Sequence, residues 1–239
     1  MDKVTRRSFV TTIGVAGVVP AAALLSPAVQ AAGAPPKSTY LFFNAAEVLF
    51  IEAACERLIP ADESGPGALG AGVADFLDRQ LGGAFGAGER LYRSGPWAAG
   101  TPAQGYQLAF TPAELFHVSL RAIHRDLDAR GTPFTDMSGD AQDAYLKSLE
   151  AGAHDLDGVP SAEFFRLLLQ MTIEGFFSDP VYGGNRDMAA WRMIGFPGAY
   201  ADYFEAVDRQ GAKFEREPMS LGEDAQHHIH GGQDIPAHL

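Results

Sequence analysis

Residues 178–187 carry the densest set of side chains that could do chemistry, in the order Ser-Asp-Pro-Val-Tyr-Gly-Gly-Asn-Arg-Asp. Nucleophilic attack by Ser178 with help from Asp179 would require a histidine base, and the sequence places none beside them. The glycine pair could approach a phosphate closely, but a phosphate loop also needs a Lys-Ser/Thr pair and a preceding strand. The residue types favour a structural or subunit-contact turn, and they leave catalysis and small-ligand binding as alternatives.

A metal site is the second candidate, because several histidines and acids stand close together near the C-terminus. They are His227, His228, His230, His238, Asp224 and Asp234. These are suitable ligand types, but their spacing lacks the His-Glu-x-x-His pattern of a helical zinc site, and exposed histidine tails are common without a bound ion. Residues 82–86, Gly-Gly-Ala-Phe-Gly, follow a helical pattern rather than a strand, so they do not match a dinucleotide-binding turn. We therefore expect this chain to bind neither a metal nor a cofactor itself.

Cys55 is the only cysteine. A single thiol excludes an internal disulfide, a cysteine-ligated iron–sulfur cluster and covalent haem attachment through two thioethers. Phe50, Ile51 and Ala54 share its side of a helical wheel, which favours burial of Cys55 as a small apolar residue. Pairing with a cysteine of another chain is the alternative.

The first 31 residues predict export to the periplasm. Arg6 and Arg7 precede an apolar run over residues 9–25, which begins at Phe9, and residues 29–31, Val-Gln-Ala, suit signal peptidase. The arginine pair followed by Phe indicates a twin-arginine signal. The run is short and rich in Ala, Gly and Thr, which favours cleavage near residue 32 over retention as a transmembrane anchor.

The net charge of the chain limits the classes of partner that it can bind. The full chain has a net charge of −12, and the signal segment carries Lys3, Arg6 and Arg7 against Asp2, so the mature chain is at −14. Such acidity argues against nucleic acid and anionic lipid headgroups as partners.

Helices must position the candidate residues, because the apolar spacings after residue 40 are helical. Start signals at Asn44, Thr111 and Ser161 and apolar stripes between turn residues predict the elements. The predicted helices span residues 44–58, 73–81, 111–131, 138–151 and 161–177. The last is apolar around most of its circumference and is predicted to be the central helix.

The predicted fold class is all-α, with a single irregular multi-helix domain and long ordered loops, notably the aromatic-rich residues 86–109. No segment alternates β-branched residues, and we find no Asn-Gly or Asp-Gly between two strand-like runs, so no strand is predicted. The predicted organisation is a signal peptide over 1–31, a tether over 32–39, a helical domain over 40–212 and an extended tail over 213–239.

Three stretches of the chain carry specific motifs. Residues 57–73 contain Arg-Leu-Ile-Pro-Ala-Asp, Gly-Pro-Gly-Ala and Ala-Gly-Val, and residues 105–115 contain Gly-Tyr-Gln and Thr-Pro-Ala-Glu-Leu. Residues 174–185 read Glu-Gly-Phe-Phe-Ser-Asp-Pro-Val-Tyr-Gly-Gly-Asn and are the most specific of the three, because they form one long continuous motif. Together the three stretches resemble the gluconate 2-dehydrogenase subunit 3 family, and the resemblance covers about residues 42–200.

The resemblance implies a non-catalytic small subunit of a membrane-bound dehydrogenase complex, a heterotrimer. Its partners would be an FAD-containing catalytic subunit and a multihaem cytochrome c subunit, so FAD and haem c would belong to those chains. The family serves oxidation of gluconate, 2-ketogluconate, glucose, fructose and sorbitol, and its small subunit often carries the export signal for a partner that lacks one. The twin-arginine translocase would then be a further partner.

Aromatic and charged residues in the long loop and the 178–196 segment are the candidate subunit interface, since interfaces favour Tyr, Trp and Arg. They are Tyr92, Trp97, Tyr106, Asp179, Tyr182, Asn185, Arg186, Trp191 and Phe196. A stand-alone periplasmic enzyme or ligand-binding protein built on residues 178–187 is the alternative hypothesis.

Overall fold

The computed structural model describes residues 39–98, 100–101, 104, 107–200, 208–209, 211 and 216–222. The predicted signal peptide with Arg6, Arg7 and Phe9 lies outside the described residues, as do the histidines of the predicted tail. Within the described part, the α-helices are α1 Ala45–Leu58, α2 Val73–Leu81, α3 Pro112–Arg130, α4 Gly139–Glu150, α5 Ser161–Phe177 and α6 Ala189–Ile194. Short 3-10 turns occupy Phe134–Asp136, Pro180–Tyr182 and Arg186–Met188. The prediction of a mostly helical domain is confirmed, and no described helix is long and apolar enough to cross a membrane.

Local capping explains where the helices begin. The Asn44 side chain accepts hydrogen bonds from the amides of Ala46 and Glu47, and the Glu47 carboxylate accepts one from the Asn44 amide. Thr111 and Glu114 make the same reciprocal pair at the start of α3, which ends at Gly131 in the left-handed conformation. Such reciprocal caps satisfy backbone donors that would otherwise lack partners at a helix end.

The centre of the fold is α5, which contacts each of the other described α-helices. Its buried face carries Phe164, Leu168 and Met171, while Arg166, Gln170 and Glu174 form a hydrogen-bonded row on the exposed side. The Phe164 ring lies edge-on to that of Phe116 of α3, with centroids 5.3 Å apart. Burial of most of its circumference confirms α5 as the predicted central helix.

Two local predictions were wrong. Ser161 is the first residue of α5 rather than its N-cap, and its hydroxyl donates to the Leu149 carbonyl at the end of α4. A two-stranded antiparallel hairpin also joins β1 Asp155–Leu156 to β2 Val159–Pro160. Its turn is Asp157-Gly158, with φ values of 57° and 90°, which suits a tight hairpin; strands of two residues are too short to produce an alternating pattern.

Cys55 is buried, as predicted. Its Sγ lies 3.3 Å from Thr172 Oγ1, and since Thr172 donates to the Leu168 carbonyl, the thiol is the donor between the two side chains. Burial raises the pKa of the Cys55 thiol to about 12. The thiol therefore stays protonated and unreactive near neutral pH.

Candidate functional site

Residues 178–188, here called the glycine corner, carry the chain out of α5 and into α6. Asp179 closes its first half. Asp179 Oδ1 accepts hydrogen bonds from Val181 N at 3.0 Å and Ser220 Oγ at 2.5 Å, and Oδ2 accepts from Leu221 N at 2.8 Å. The Asp179 side chain thus fastens residues 216–222, part of the predicted tail, to the end of the central helix.

Asn185 closes the second half of the glycine corner from a fully buried position. Its Nδ2 donates to the Ser178 carbonyl at 2.9 Å, and its Oδ1 accepts from the Ala190 amide at 2.9 Å. One amide side chain therefore joins the end of α5 to the first turn of α6.

Arg186 ties the glycine corner to α2. Its Nη2 donates to Asp75 Oδ2 at 3.0 Å, and its backbone amide donates to the Ala71 carbonyl at 2.9 Å. Both side chains of the ion pair are partly buried, which makes this contact more specific than an exposed surface pair.

Gly183 and Gly184 are each required for a separate steric reason. A Cβ at Gly184 would collide with the carbonyl oxygen of Gly175 in α5. Gly183 has φ of 108°, and a Cβ there would lie 3.0 Å from Cδ of Arg79. Gly184 thus permits backbone contact with α5, and Gly183 leaves room for the Arg79 side chain.

Backbone strain is concentrated in the same segment. Asn185, Asp187 and Met188 have φ values of 47°, 56° and 55°, and each such residue outside glycine costs of order 1–3 kcal/mol. The Asn185 and Arg186 hydrogen bonds hold this conformation, and Trp191 Nε1 donates to the Phe177 carbonyl at 2.8 Å. The surrounding contacts, rather than local preference, set the direction of α6.

Hydrogen bonds within the chain engage most of the polar side chains of the glycine corner. Ser178 Oγ donates to the Gly175 carbonyl, so the hydroxyl, Asp179, Asn185 and Arg186 are all engaged within the chain. The described residues contain no group of three or more His, Cys, Asp and Glu side chains that could hold a metal ion.

A groove opens beside the glycine corner. It has a volume of about 330 Å³ and lies between the segment before α1, α2 and the 3-10 turn at Pro180–Tyr182. Its lining residues are Leu41, Asp78, Arg79, Gln80, Gly82, Val181 and Tyr182. We call it the Tyr182 groove.

Asp78 builds one wall of the Tyr182 groove. Its carboxylate is buried and accepts hydrogen bonds from the amides of Leu41, Phe42 and Phe43 at 2.8, 2.9 and 3.0 Å. These bonds fix the segment before α1 against α2. Asp78, Arg79 and Leu41 were not among the predicted site residues. The available signal was that Asp78, an acid, lies at the edge of the apolar stripe of α2.

The predicted interface residues fall into two environments. Tyr182 is 50% exposed and Phe196 43%, whereas Asp179, Asn185 and Trp191 are buried within the chain. Arg186 is partly buried in its ion pair with Asp75. The structure thus brings these residues together at or beside the glycine corner.

Side chains of the aromatic-rich segment, residues 86–109, line a different pocket. Tyr92, 82% exposed, and Trp97 contribute to a pocket of about 160 Å³ with Phe110. Tyr106 lies outside the described residues. Contact of the predicted interface residues with another chain stays a prediction.

Asp179→Asn is expected to lower the free energy of unfolding by about 2 kcal/mol and to loosen residues 216–222. Hydrogen bonds to a charged group contribute about 1.5–3 kcal/mol, and an amide nitrogen facing Ser220 or Leu221 cannot accept. Urea denaturation and hydrogen exchange at the Leu221 amide measure the two effects. Asp187→Asn is the matched control, because Asp187 is exposed; equal effects of the two changes would contradict this role of Asp179.

Comparison with known protein families gives a match. A sequence model of the family described as gluconate 2-dehydrogenase subunit 3 matches residues 45–198, more than half of the chain. The match begins with α1 and includes the whole glycine corner. No curated protein and no solved structure matches the chain.

Proposed function

Because the chain belongs to the gluconate 2-dehydrogenase subunit 3 family, we propose that it is the non-catalytic small subunit of a periplasmic FAD-dependent dehydrogenase. The complex would be associated with the inner membrane and oxidise sugars, sugar acids or polyols. Its other members would be an FAD-containing catalytic subunit and a multihaem cytochrome c subunit, which hold the cofactors. The family match over residues 45–198 is the observation that carries this proposal.

The glycine corner supports a structural rather than a catalytic role. Ser178, Asp179 and Asn185 direct their polar atoms to groups within the chain, and these hydrogen bonds stabilise a strained turn. Two aromatic side chains are exposed here, Tyr182 within the glycine corner and Phe196 shortly after α6. Exposed aromatic residues are typical of the surfaces that proteins use to bind each other.

The N-terminal segment supports a role in export. Arg6, Arg7 and Phe9 have the order of a twin-arginine signal. A small subunit that binds its catalytic partner in the cytoplasm can take it through the twin-arginine translocase already folded, with FAD in place. The same contact would serve maturation and stability, since a partner that binds only the folded form favours folding by mass action.

Binding of the FAD-containing subunit tests the proposal directly. A tag on this chain should recover that subunit, and the unfolding midpoint of this chain should rise by about 5–10 °C in the complex, as expected for saturation at about 100 times the Kd. Calorimetry on this chain alone and with the partner in excess measures the shift. An unrelated soluble flavoprotein is the control and should leave the midpoint unchanged.

Activity of the isolated chain provides the opposing outcome. Purified alone and supplied with gluconate or glucose and an artificial electron acceptor, the chain should show no turnover. Turnover by the isolated chain, or failure of the FAD-containing subunit to bind, would overturn the proposed function.

A further inference from the structure

The Tyr182 groove has fixed walls. The buried Asp78 carboxylate holds the Leu41 backbone, while Pro180 and Gly183 limit the 3-10 turn that carries Tyr182. Leu41 is 76% exposed and Tyr182 50% exposed, so large apolar surfaces face outward at the groove. A rigid apolar groove requires little ordering when it binds a partner.

Arg79 places a guanidinium at the groove, whose other charged lining residue, Asp78, is buried and engaged with backbone amides. Arg79 is exposed, and among the described residues its guanidinium makes no hydrogen bond or ion pair. Its stem lies against Gly183, the position where a Cβ would come within 3.2 Å of Arg79 Nε. The neighbouring Arg186 differs, because it is paired with Asp75.

Because the chain as a whole is acidic, Arg79 indicates what kind of group binds in the groove. In a chain with a net charge of −12, acids are in excess, yet Arg79 makes no ion pair with any described residue and shares the groove with the apolar side chains of Leu41, Val181 and Tyr182. A guanidinium binds a carboxylate through two parallel hydrogen bonds, and it does so best where apolar surroundings exclude water. Charge complementarity at Arg79 therefore points to an anionic group on whatever enters the groove.

We propose that the Tyr182 groove binds a segment of the FAD-containing subunit in which an apolar side chain stands next to a carboxylate. The apolar side chain lies between Leu41 and Tyr182, and the carboxylate pairs with Arg79. A volume of about 330 Å³ is at the lower limit for small-molecule pockets and suits one or two side chains. This inference rests on the proposed function and names the surface through which it operates.

Reversal of the Arg79 charge tests this surface. The Kd between the purified chain and the purified FAD-containing subunit is measured for Arg79→Glu, Arg79→Gln and Tyr182→Ala at low and at physiological salt. We expect Arg79→Glu to raise the Kd by at least about tenfold, with a smaller rise for Arg79→Gln and a weaker salt dependence in both. Arg121→Glu is the control. Arg121 is an exposed arginine on α3, so its substitution changes the charge by the same amount at a site away from the groove.

The outcomes separate this inference from the proposed function. If the wild-type chain binds the FAD-containing subunit and Arg79→Glu binds it equally well, the groove is not the contact, while the proposed function stands. If the wild-type chain does not bind that subunit at all, both fail. If sodium gluconate binds the isolated wild-type chain and not the Arg79→Glu chain, the groove is a small-molecule site and the inference is overturned. Unchanged thermal unfolding of each variant shows that the fold is intact.

Discussion

Replacement of both Arg6 and Arg7 by Lys is expected to reduce periplasmic dehydrogenase activity to background, although the proposed function assigns that activity to a different polypeptide. The twin-arginine route recognises the arginine pair itself, so two lysines keep the charge and lose the signal. Under the proposed function the FAD-containing subunit has no export signal of its own, so it would then stay in the cytoplasm with this chain. Activity in the periplasmic fraction, measured with an acceptor that does not cross the inner membrane, reports the effect.

Two comparisons complete this test. Lys3→Arg, in the same segment, should leave periplasmic activity unchanged. Omission of this chain should reproduce the loss caused by the double substitution, with the FAD-containing subunit detected by antibody in the cytoplasm. Full periplasmic activity in either the omission strain or the double variant would show that export does not depend on this chain.

Gly184→Ala is expected to destabilise the domain by about 3 kcal/mol. The added Cβ would meet the Gly175 carbonyl, and a clash with backbone is not relieved by rotating a side chain. Either α5 or the glycine corner must move, which disturbs the Asn185 hydrogen bonds as well. Urea denaturation measures the loss, which should appear as a lower midpoint with an unchanged slope.

Gly195→Ala separates the steric cause from the conformational one. Gly195 has φ of 69° with no atom within 4 Å of a built Cβ, so its substitution meets only the left-handed backbone penalty of about 1–2 kcal/mol. Gly184→Ala should therefore cost more than Gly195→Ala. The reverse order would show that close contact between Gly184 and α5 is not what the glycine pair provides.

The sequence could predict features set by neighbouring residues. Asn44 with Glu47 and Thr111 with Glu114 predicted helix starts because a capping side chain acts within one turn. The apolar stripe of α5 predicted its central position, and the helical face of Cys55 predicted its burial. In each case the signal and its effect lie within a few residues.

Features set by distant contacts could not be predicted in this way. The Asp78 carboxylate acts on amides 35–37 residues earlier in the chain, and Arg186 contacts Asp75 in another helix. The short α6 went unpredicted because it follows three left-handed residues, Asn185, Asp187 and Met188, whose conformation the tertiary contacts impose. Ser161 has a residue type suited to capping but donates to the preceding helix instead.

The bonds of Asp179 to Ser220 and Leu221 set an order of events during synthesis. These partners lie 41 and 42 residues after Asp179, so the ribosome makes the acid well before the groups that cover it. Until residue 221 has left the ribosome, the Asp179 carboxylate lacks these two donors, and this last set of contacts of the fold cannot form. An unfinished chain is thus also an incompletely folded one, and an export route that accepts folded cargo would discriminate against it without reading its length.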